Sequence, residues 1–281
     1  MGYYEFTIEA PAESADSLLS LTGDSGSLGA FENEKGLIIY FPDHVGIEKL
    51  CHDIERYRNI LKDSGLPSDF AYNYTYISER DWNESWKKKF QPIDVGERIS
   101  IIPPWEKPKN GRVSLIIDPG MAFGTGHHDT TRTCLEHIER LCKERSRDRF
   151  LDIGTGTGIL AICAAKMGFR EIVGVDIDPL AVDAAQRNIA LNDLAGVQIM
   201  EGTISVTSGV YDVIAANLLS EILIAIASEI AVRLKPGGSA LLSGMIIGQE
   251  EEVMAAMEKE GLKLKERHYD GVRWVTVVVT R

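Results

Sequence analysis

The chain has 281 residues, 44% of them apolar and 26% charged, with a formal net charge of −12 at pH 7. That length suits two domains, and the composition is that of an ordinary globular protein. No run approaches the roughly 20 apolar residues of a membrane span, the start MGYYEFTIEA lacks the features of a signal peptide, and the acidic balance argues against direct nucleic-acid binding.

Residues 1–80 read as short alternating elements. YYEFTIEA alternates like a strand, and AESADSLLSLTG fits a helix. LGAFENE and GLIIYF are strand-like. Val45 to Leu61 has helical spacing, with Val45, Leu50, Ile54, Tyr57 and Leu61 on one face, and YNYTYIS alternates again. The order β-α-β-β-α-β predicts a small α+β, ferredoxin-like domain. This part holds 14 acidic and 6 basic residues. Such a surface attracts a basic partner, and it also serves solubility alone.

Residues 81–111 read as an ordered linker packed on both domains. Trp82, Trp86 and Phe90 recur at helical spacing. Lys87 to Lys89 beside them suit a solvated helix face better than a nucleic-acid contact. RISIIPPWEKPKNG is a strand that runs into a turn.

From residue 112 onward the pattern is that of a Rossmann-like α/β domain, continuing to residue 281. VSLIID, RFLDI, EIVGVD, VQIME, YDVIAAN and SALLSG are strands. Helices are expected at Asp129–Cys142, Ile159–Met167, Pro179–Leu191, Leu218–Leu234 and Glu250–Glu260, the fourth closed by KPGG. This alternation predicts a mostly parallel sheet covered on both faces. A terminal hairpin around Asp270 and Gly271 adds an antiparallel strand. Cys51, Cys134, Cys142 and Cys163 form no C-x-x-C pair and sit in helical stretches, which suits free thiols in a reducing cytoplasm.

FLDIGTGTGILAICAAKMGFREIVGVDIDP is the most specific stretch. A strand ends at Asp152, Gly154, Gly156 and Gly158 follow, and a helix starts. Glycines there allow a tight turn and close approach of a cofactor. Asp176 ends the next strand, where a carboxylate can accept hydrogen bonds from two ribose hydroxyls. The spacing is G-x-G-x-G, one residue short of the dinucleotide pattern. Asp152 would repel a pyrophosphate and suits a cationic amino group. A cofactor with a ribose, no phosphate and an α-amino group is S-adenosylmethionine. Residues 152–158, 176–179 and 217–219 resemble the Rossmann-like S-adenosylmethionine-dependent methyltransferases. In that class the segment after the fourth strand places an Asn or Asp near the methyl group, and here it holds Asn217. Leu218 and Leu219 follow it, in place of the Pro-Pro-Tyr/Phe of many amino-group methyltransferases.

A second glycine-rich stretch, DPGMAFGTGHHDTTR, spans Asp118 to Arg132. It is not a Walker loop, since no Gly-Lys-Ser/Thr follows. His127, His128 and Asp129 are poor joint metal ligands, because adjacent side chains diverge, and no metal is expected. As local structure it reads as a helix entrance capped by Asp129 or a nearby threonine. With DWNESWKKKFQPIDVGERISIIPPWE and NLLSEIL, it resembles the ribosomal protein L-eleven methyltransferase family over most of the chain. The resemblance implies an enzyme that methylates lysine ε-amines and the N-terminal α-amine of a large-subunit ribosomal protein, held by the N-terminal domain. It implies that Thr131, Asp152, Gly154, Gly156, Gly158, Asp176, Ile177 and Asn217 bind S-adenosylmethionine. Phe123, Gly124, Thr125 and Gly126 would cover the cofactor, and Asn217 would lie beside the transferred methyl as the catalytic residue. His128 and Asp129 stand where many members have His-Pro and carry no fixed role. A cytoplasmic monomer with a basic protein substrate is expected. Two other readings stay open: a methyltransferase for another protein lysine or a small amine, and a non-catalytic assembly factor that binds the cofactor.

Overall fold

A computed structural model describes residues 3–9, 26–33, 36–63, 68, 70–77, 90–118, 124–144, 148–271 and 273–281. The chain divides into two compact units, Met1–Phe90 and Gln91–Arg281.

In the first unit, strands β1 (Tyr3–Glu9), β2 (Gly29–Asn33), β3 (Gly36–Pro42) and β4 (Ala71–Ile77) form a sheet in the order β2-β3-β1-β4. β1 pairs antiparallel with both β3 and β4. β3, helix α1 (Ile47–Asp63) and β4 therefore make a β-α-β crossover with β1 between its strands, the split arrangement expected from the sequence. Alternate residues Phe6, Ile8, Leu37, Ile39 and Phe41 are buried, and Leu50, Ile54 and Leu61 of α1 pack on them. The helix expected at AESADSLLSLTG lies outside the described residues, as do Trp82, Trp86 and Lys87 to Lys89.

The second unit opens with β5 (Ile93–Val95), β6 (Ile99–Ile102) and β7 (Val113–Ile116), a three-stranded sheet. Its Val95, Ile99, Ile101 and Leu115 share a core with Cys134, Leu135, Ile138 and Leu141 of α2 (Asp129–Glu144). The main sheet has the order β10-β9-β8-β11-β12-β14-β13. It is built from β8 (Arg149–Ile153), β9 (Glu171–Asp176), β10 (Val197–Glu201), β11 (Tyr211–Asn217), β12 (Leu234–Ile246), β13 (Lys263–Tyr269) and β14 (Trp274–Thr280). The first five strands in that order are parallel, and β14 is antiparallel to both neighbours.

Strand alternation sorts the side chains onto two faces. Phe150, Val213, Ala215, Leu241 and Val278 join one core, against α2 and α3 (Ile159–Lys166). Leu151, Ile214, Ala216, Leu242, Val277 and Val279 join the other, against α5 (Ser220–Ala225), α6 (Ala227–Arg233) and α7 (Glu250–Lys259). Helix α4 (Pro179–Leu191) adds Ile189 to the first core. The single helix expected over 218–234 is two short ones, interrupted at Ile226, where ψ reaches 8°. KPGG does not end a helix but lies inside β12, which extends back to pair Leu234 with Tyr211. The Gly237 N–H there donates to the Arg281 carbonyl at 3.1 Å, so the chain's last residue takes up part of that backbone.

Candidate cofactor and methyl-transfer site

The strand order reverses between β8 and β11. In an open α/β sheet that reversal leaves a crevice at the carboxyl ends of the two strands. Asp152 to Gly158 follow from the end of β8, Asp176 ends β9, and Asn217 ends β11. The fold thus brings three separate sequence motifs to one edge of one sheet.

Gly154, Gly156 and Gly158 have φ of 71°, 54° and 80°. The loop folds back on β9, with the N–H groups of Gly154 and Thr155 donating to the Val175 carbonyl at 2.9 and 3.0 Å. At Gly154 a side chain is excluded twice. An L-residue is strained at that φ, and an added Cβ would strike the Leu218 side chain.

Asp152 is fully buried. Its Oδ2 accepts from Thr155 Oγ1 at 2.7 Å and from the Ala161 N–H at 3.2 Å. α3 starts from Gly158 without a side-chain cap of its own, so the strand carboxylate satisfies one of its orphan donors. That structural task was not apparent in the sequence. Oδ1 has no partner. Burial pushes the carboxyl up to about 7, and the Asp176 charge adds to the rise while Thr155 and Ala161 oppose it. A buried carboxylate oxygen without a donor is costly, and a cation near the loop would relieve it.

Asp176 is held by the same loop. Its Oδ2 accepts from the Gly156 N–H at 2.9 Å and its Oδ1 from the Asp178 N–H at 3.1 Å. Each oxygen keeps a further lone pair for a hydroxyl donor. Ile177 is 71% exposed beside it, which leaves an apolar surface open to a base or ring. Acceptors thus dominate the loop. That set fits hydroxyl and ammonium donors of S-adenosylmethionine, and it does not fit a pyrophosphate.

Across the crevice, Asn217 is tied to the start of α2. Its Nδ2 donates to Thr130 Oγ1 at 3.1 Å and to Thr131 Oγ1 at 3.5 Å. Both threonines are 1% exposed. Asn217 Oδ1 has no hydrogen-bond partner among the described residues. The helix entrance differs from the expected one. Asp129 lies within α2 and pairs with Arg132. The cap is His128: its carbonyl accepts from Arg132 N–H at 3.2 Å and its Nδ1 from Thr130 N–H at 3.3 Å. His127 meets Thr125 Oγ1 at 3.3 Å, and burial, then Arg132, lower its pKa. No cluster of three metal-binding side chains occurs among the described residues.

Phe123 lies outside the described residues. Gly124, Thr125 and Gly126 are described, and Gly124 and Gly126 take φ of 101° and 86°. The Gly124 carbonyl accepts from Thr157 Oγ1 at 2.6 Å. Thr157 is buried in the cofactor loop, and its own carbonyl accepts from Asn188 Nδ2 at 2.8 Å. Asn188 Oδ1 in turn accepts the Asp118 N–H at 2.9 Å. One asparagine of α4 therefore fixes the chain before residues 119–123, and through Thr157 the chain after them. Asn192, one turn on, accepts from Ile116 N–H at 2.9 Å and donates to the Ile116 carbonyl at 2.6 Å. Thr157, Asn188 and Asn192 were missed in the sequence. For the two asparagines the one visible signal was polar residues on and just after the apolar-patterned helix 179–191.

A reversed parallel sheet, a G-x-G-x-G loop rich in acceptors and an asparagine ending the fourth strand define a Rossmann-like S-adenosylmethionine-dependent methyltransferase. A family model described as ribosomal protein L11 methyltransferase matches residues 15–281. The chain is 36% identical over 303 aligned residues to the ribosomal protein L11 methyltransferase of Pelobacter propionicus, covering 99% of this chain and 97% of that relative. It is 39% identical over 280 to that of Citrifermentans bemidjiense, covering 90% of each. The crystal structure of a ribosomal protein L11 methylase from Lactobacillus delbrueckii subsp. bulgaricus superposes with a TM-score of 0.63 at 28% identity, over 68% of this chain and 98% of that one. The chain belongs to the ribosomal protein L11 methyltransferase family.

Proposed function

We propose that this chain transfers methyl groups from S-adenosylmethionine to ribosomal protein L11, on lysine ε-amines and on the N-terminal α-amine. One observation carries the reading: Asn217 ends β11 with its amide nitrogen committed to two threonines and its carbonyl oxygen without a partner among the described residues. An oxygen presented there accepts a hydrogen from an amine and aims the nitrogen lone pair.

Asp152, Gly154, Gly156, Gly158, Asp176, Ile177 and Thr131 would hold the cofactor, with Phe123 to Gly126 covering it. When bound, the cofactor supplies an electrophilic methyl group on a sulfonium. The chain's task is to bind the amine neutral, in line and away from water. A free lysine, with pKa ~10.4, is almost wholly charged at neutral pH. The site therefore has to disfavour the ammonium by desolvation or carry its proton away. Positioning accounts for most of the acceleration.

Residues 1–80 act as the substrate-recognition domain, where 14 acidic against 6 basic residues suit a basic ribosomal protein. Residues 81–111 are the connection, of which 91–111 belong to the second compact unit, and 112–281 the methyltransferase domain. The chain works as a cytoplasmic monomer, where the ribosomal protein is made, without touching nucleic acid itself. No described helix is long and apolar enough to cross a membrane.

Incubation with methyl-labelled cofactor and purified ribosomal proteins tests the reading. Label on L11 alone is expected. Label on other proteins or small amines only, or tight cofactor binding without transfer, would overturn it.

A further inference from the structure

We infer that His128 is a positioning residue for methyl transfer: acting through the Thr130 hydroxyl, it fixes the Asn217 amide with its carbonyl oxygen toward the acceptor amine. The inference rests on the function proposed above and adds a residue to it.

One donor at the helix start has no choice of role. The backbone N–H of Thr130 donates to His128 Nδ1 at 3.3 Å. A backbone N–H cannot accept, so Nδ1 is bare and the neutral imidazole carries its proton on Nε2. The Thr130 hydroxyl lies 2.7 Å from the same Nδ1. Facing a bare nitrogen, it donates. Its single proton is then committed, and toward Asn217 it accepts. The amide end at 3.1 Å from it is therefore the NH2. The Thr131 hydroxyl, at 3.5 Å, is a weaker second acceptor for that group. Each link fixes the polarity of the next, and the last determines which end of Asn217 is left over. Reversed, the amide would present NH2 to an amine whose lone pair must point at the methyl group, and would compete for that lone pair.

Packing holds the first link in place. The His128 ring meets the Trp274 ring edge-on, with centroids 4.9 Å apart at 67°. Its carbonyl starts α2, so the backbone that carries the imidazole is fixed by the helix start. Thr130 is buried, which makes a mispaired hydroxyl expensive. The chain of contacts thus runs from Trp274 of β14 through the start of α2 to the end of β11.

Two measurements test this. Nitrogen-15 NMR of the imidazole should show His128 Nδ1 unprotonated and Nε2 protonated at pH 8. A proton on Nδ1 would overturn the inference whatever the enzyme's substrate is. In single-turnover and steady-state methylation of L11, Thr130→Val should lower kcat about 10- to 100-fold, with cofactor Kd changed less than about twofold. Thr130→Ser should recover most of that loss. His128→Leu should match Thr130→Val, and His128→Asn, which returns an acceptor and a cap, should recover turnover. The Leu-Val double variant should be no slower than either single one, because both cut the same chain. Wild-type turnover in Thr130→Val, or losses that multiply in the double variant, would overturn the inference. If His128→Leu unfolds the helix start, Thr130→Val with Thr130→Ser decides alone. Failure of the wild type to methylate L11 at all would sink the functional reading while leaving the tautomer measurement intact.

Discussion

The two glycine-rich segments of this chain, 151–158 and 124–131, look alike in composition and differ in where their polar groups are satisfied. In the first, the partners are close at hand. Thr155 and Ala161 bond to Asp152, and Gly156 bonds to Asp176 at the neighbouring strand end. In the second, the partners lie far along the chain: Thr157 for Gly124, Asn217 for Thr130, and Ile101 packed under Gly126. The first is a strand–loop–helix unit that carries its own geometry. The second has local bonds at the helix start, His128 with Thr130, but its place is set by tethers to other elements. Preformed loops suit affinity, and multiply tethered segments suit alignment. Substitutions near Asp152 should therefore change cofactor Kd, and substitutions around Thr130 and Asn217 should change kcat.

The largest expected effect falls on the aligning side. Asn217→Ala removes the amide and leaves the buried Thr130 and Thr131 hydroxyls. It should lower kcat about 100- to 1,000-fold, the scale of losing one transition-state hydrogen-bonding group. Cofactor Kd by calorimetry should stay within about threefold. Undiminished turnover, or an equal loss in Kd, would erase the division between the segments.

Next comes the glycine that Leu218 overlies. Gly154→Ala sets a Cβ against Leu218 at a φ of 71°. Strain and overpacking together should cost about 2 kcal/mol and weaken cofactor binding about 30-fold. Leu218 adjoins Asn217, so this substitution also probes the boundary between the two functions. A drop in kcat at saturating cofactor, with Kd unchanged, would place Gly154 on the wrong side of it.

Asp152→Asn sharpens the first segment alone. The carboxyl is raised to about 7, against ~3.9 in an unfolded chain. Between those values the folded state holds a proton that the unfolded state has released. Stability contributed by this group is full below about pH 4 and is lost as pH rises toward 7. Thermal melting from pH 4 to 8 should show that decline in the wild type and a flatter profile in Asp152→Asn. A cation at the orphan oxygen favours the carboxylate, so cofactor binding at pH 7 should release protons, read by calorimetry in two buffers of different ionisation enthalpy. Equal apparent enthalpies in the two buffers would remove Asp152 from contact with the cofactor's charge.

The same contrast explains how much the sequence reveals. β8, β9 and β11, the G-x-G-x-G turn and the carboxylate at Asp176 are local patterns, and periodicity and spacing expose them. The strands β1 to β4 and helix α1 of the first unit were legible for the same reason. Bonds between residues 70 or more apart leave no such trace. Asn188, which bonds to Asp118, and Asn192, which bonds to Ile116, look in the sequence like stray polar residues on and just after an apolar helix. In the sequence, Asp129 or a nearby threonine read as the cap of this helix. The imidazole is the cap because Asp129 already lies inside α2, facing Arg132. The extension of β12 back through KPGG was hidden too, since Pro and Gly read as a stop until Tyr211 and Arg281 supply partners.

The smallest expected effect tests the single bond that joins the segments. Thr157→Val keeps the side-chain shape and deletes the hydroxyl that holds the Gly124 carbonyl at 2.6 Å. The Thr157 carbonyl still accepts from Asn188, so the cofactor loop should keep its fold. What is lost is one side-chain hydrogen bond to a partly buried carbonyl, worth about 1 kcal/mol. The melting temperature should fall by a few degrees, about 3 °C for a chain of this size. Hydrogen exchange at Gly124 to Gly126 should quicken, with no change at Gly154 to Gly158. Cofactor Kd should rise about fivefold, because a segment that must order on binding spends part of the interaction on that ordering. Asn188→Ala, by contrast, releases Asp118 as well and should exceed it on every measure. If exchange quickens equally in both segments, the cofactor loop does not carry its own geometry, and the two glycine-rich segments are one cooperative unit.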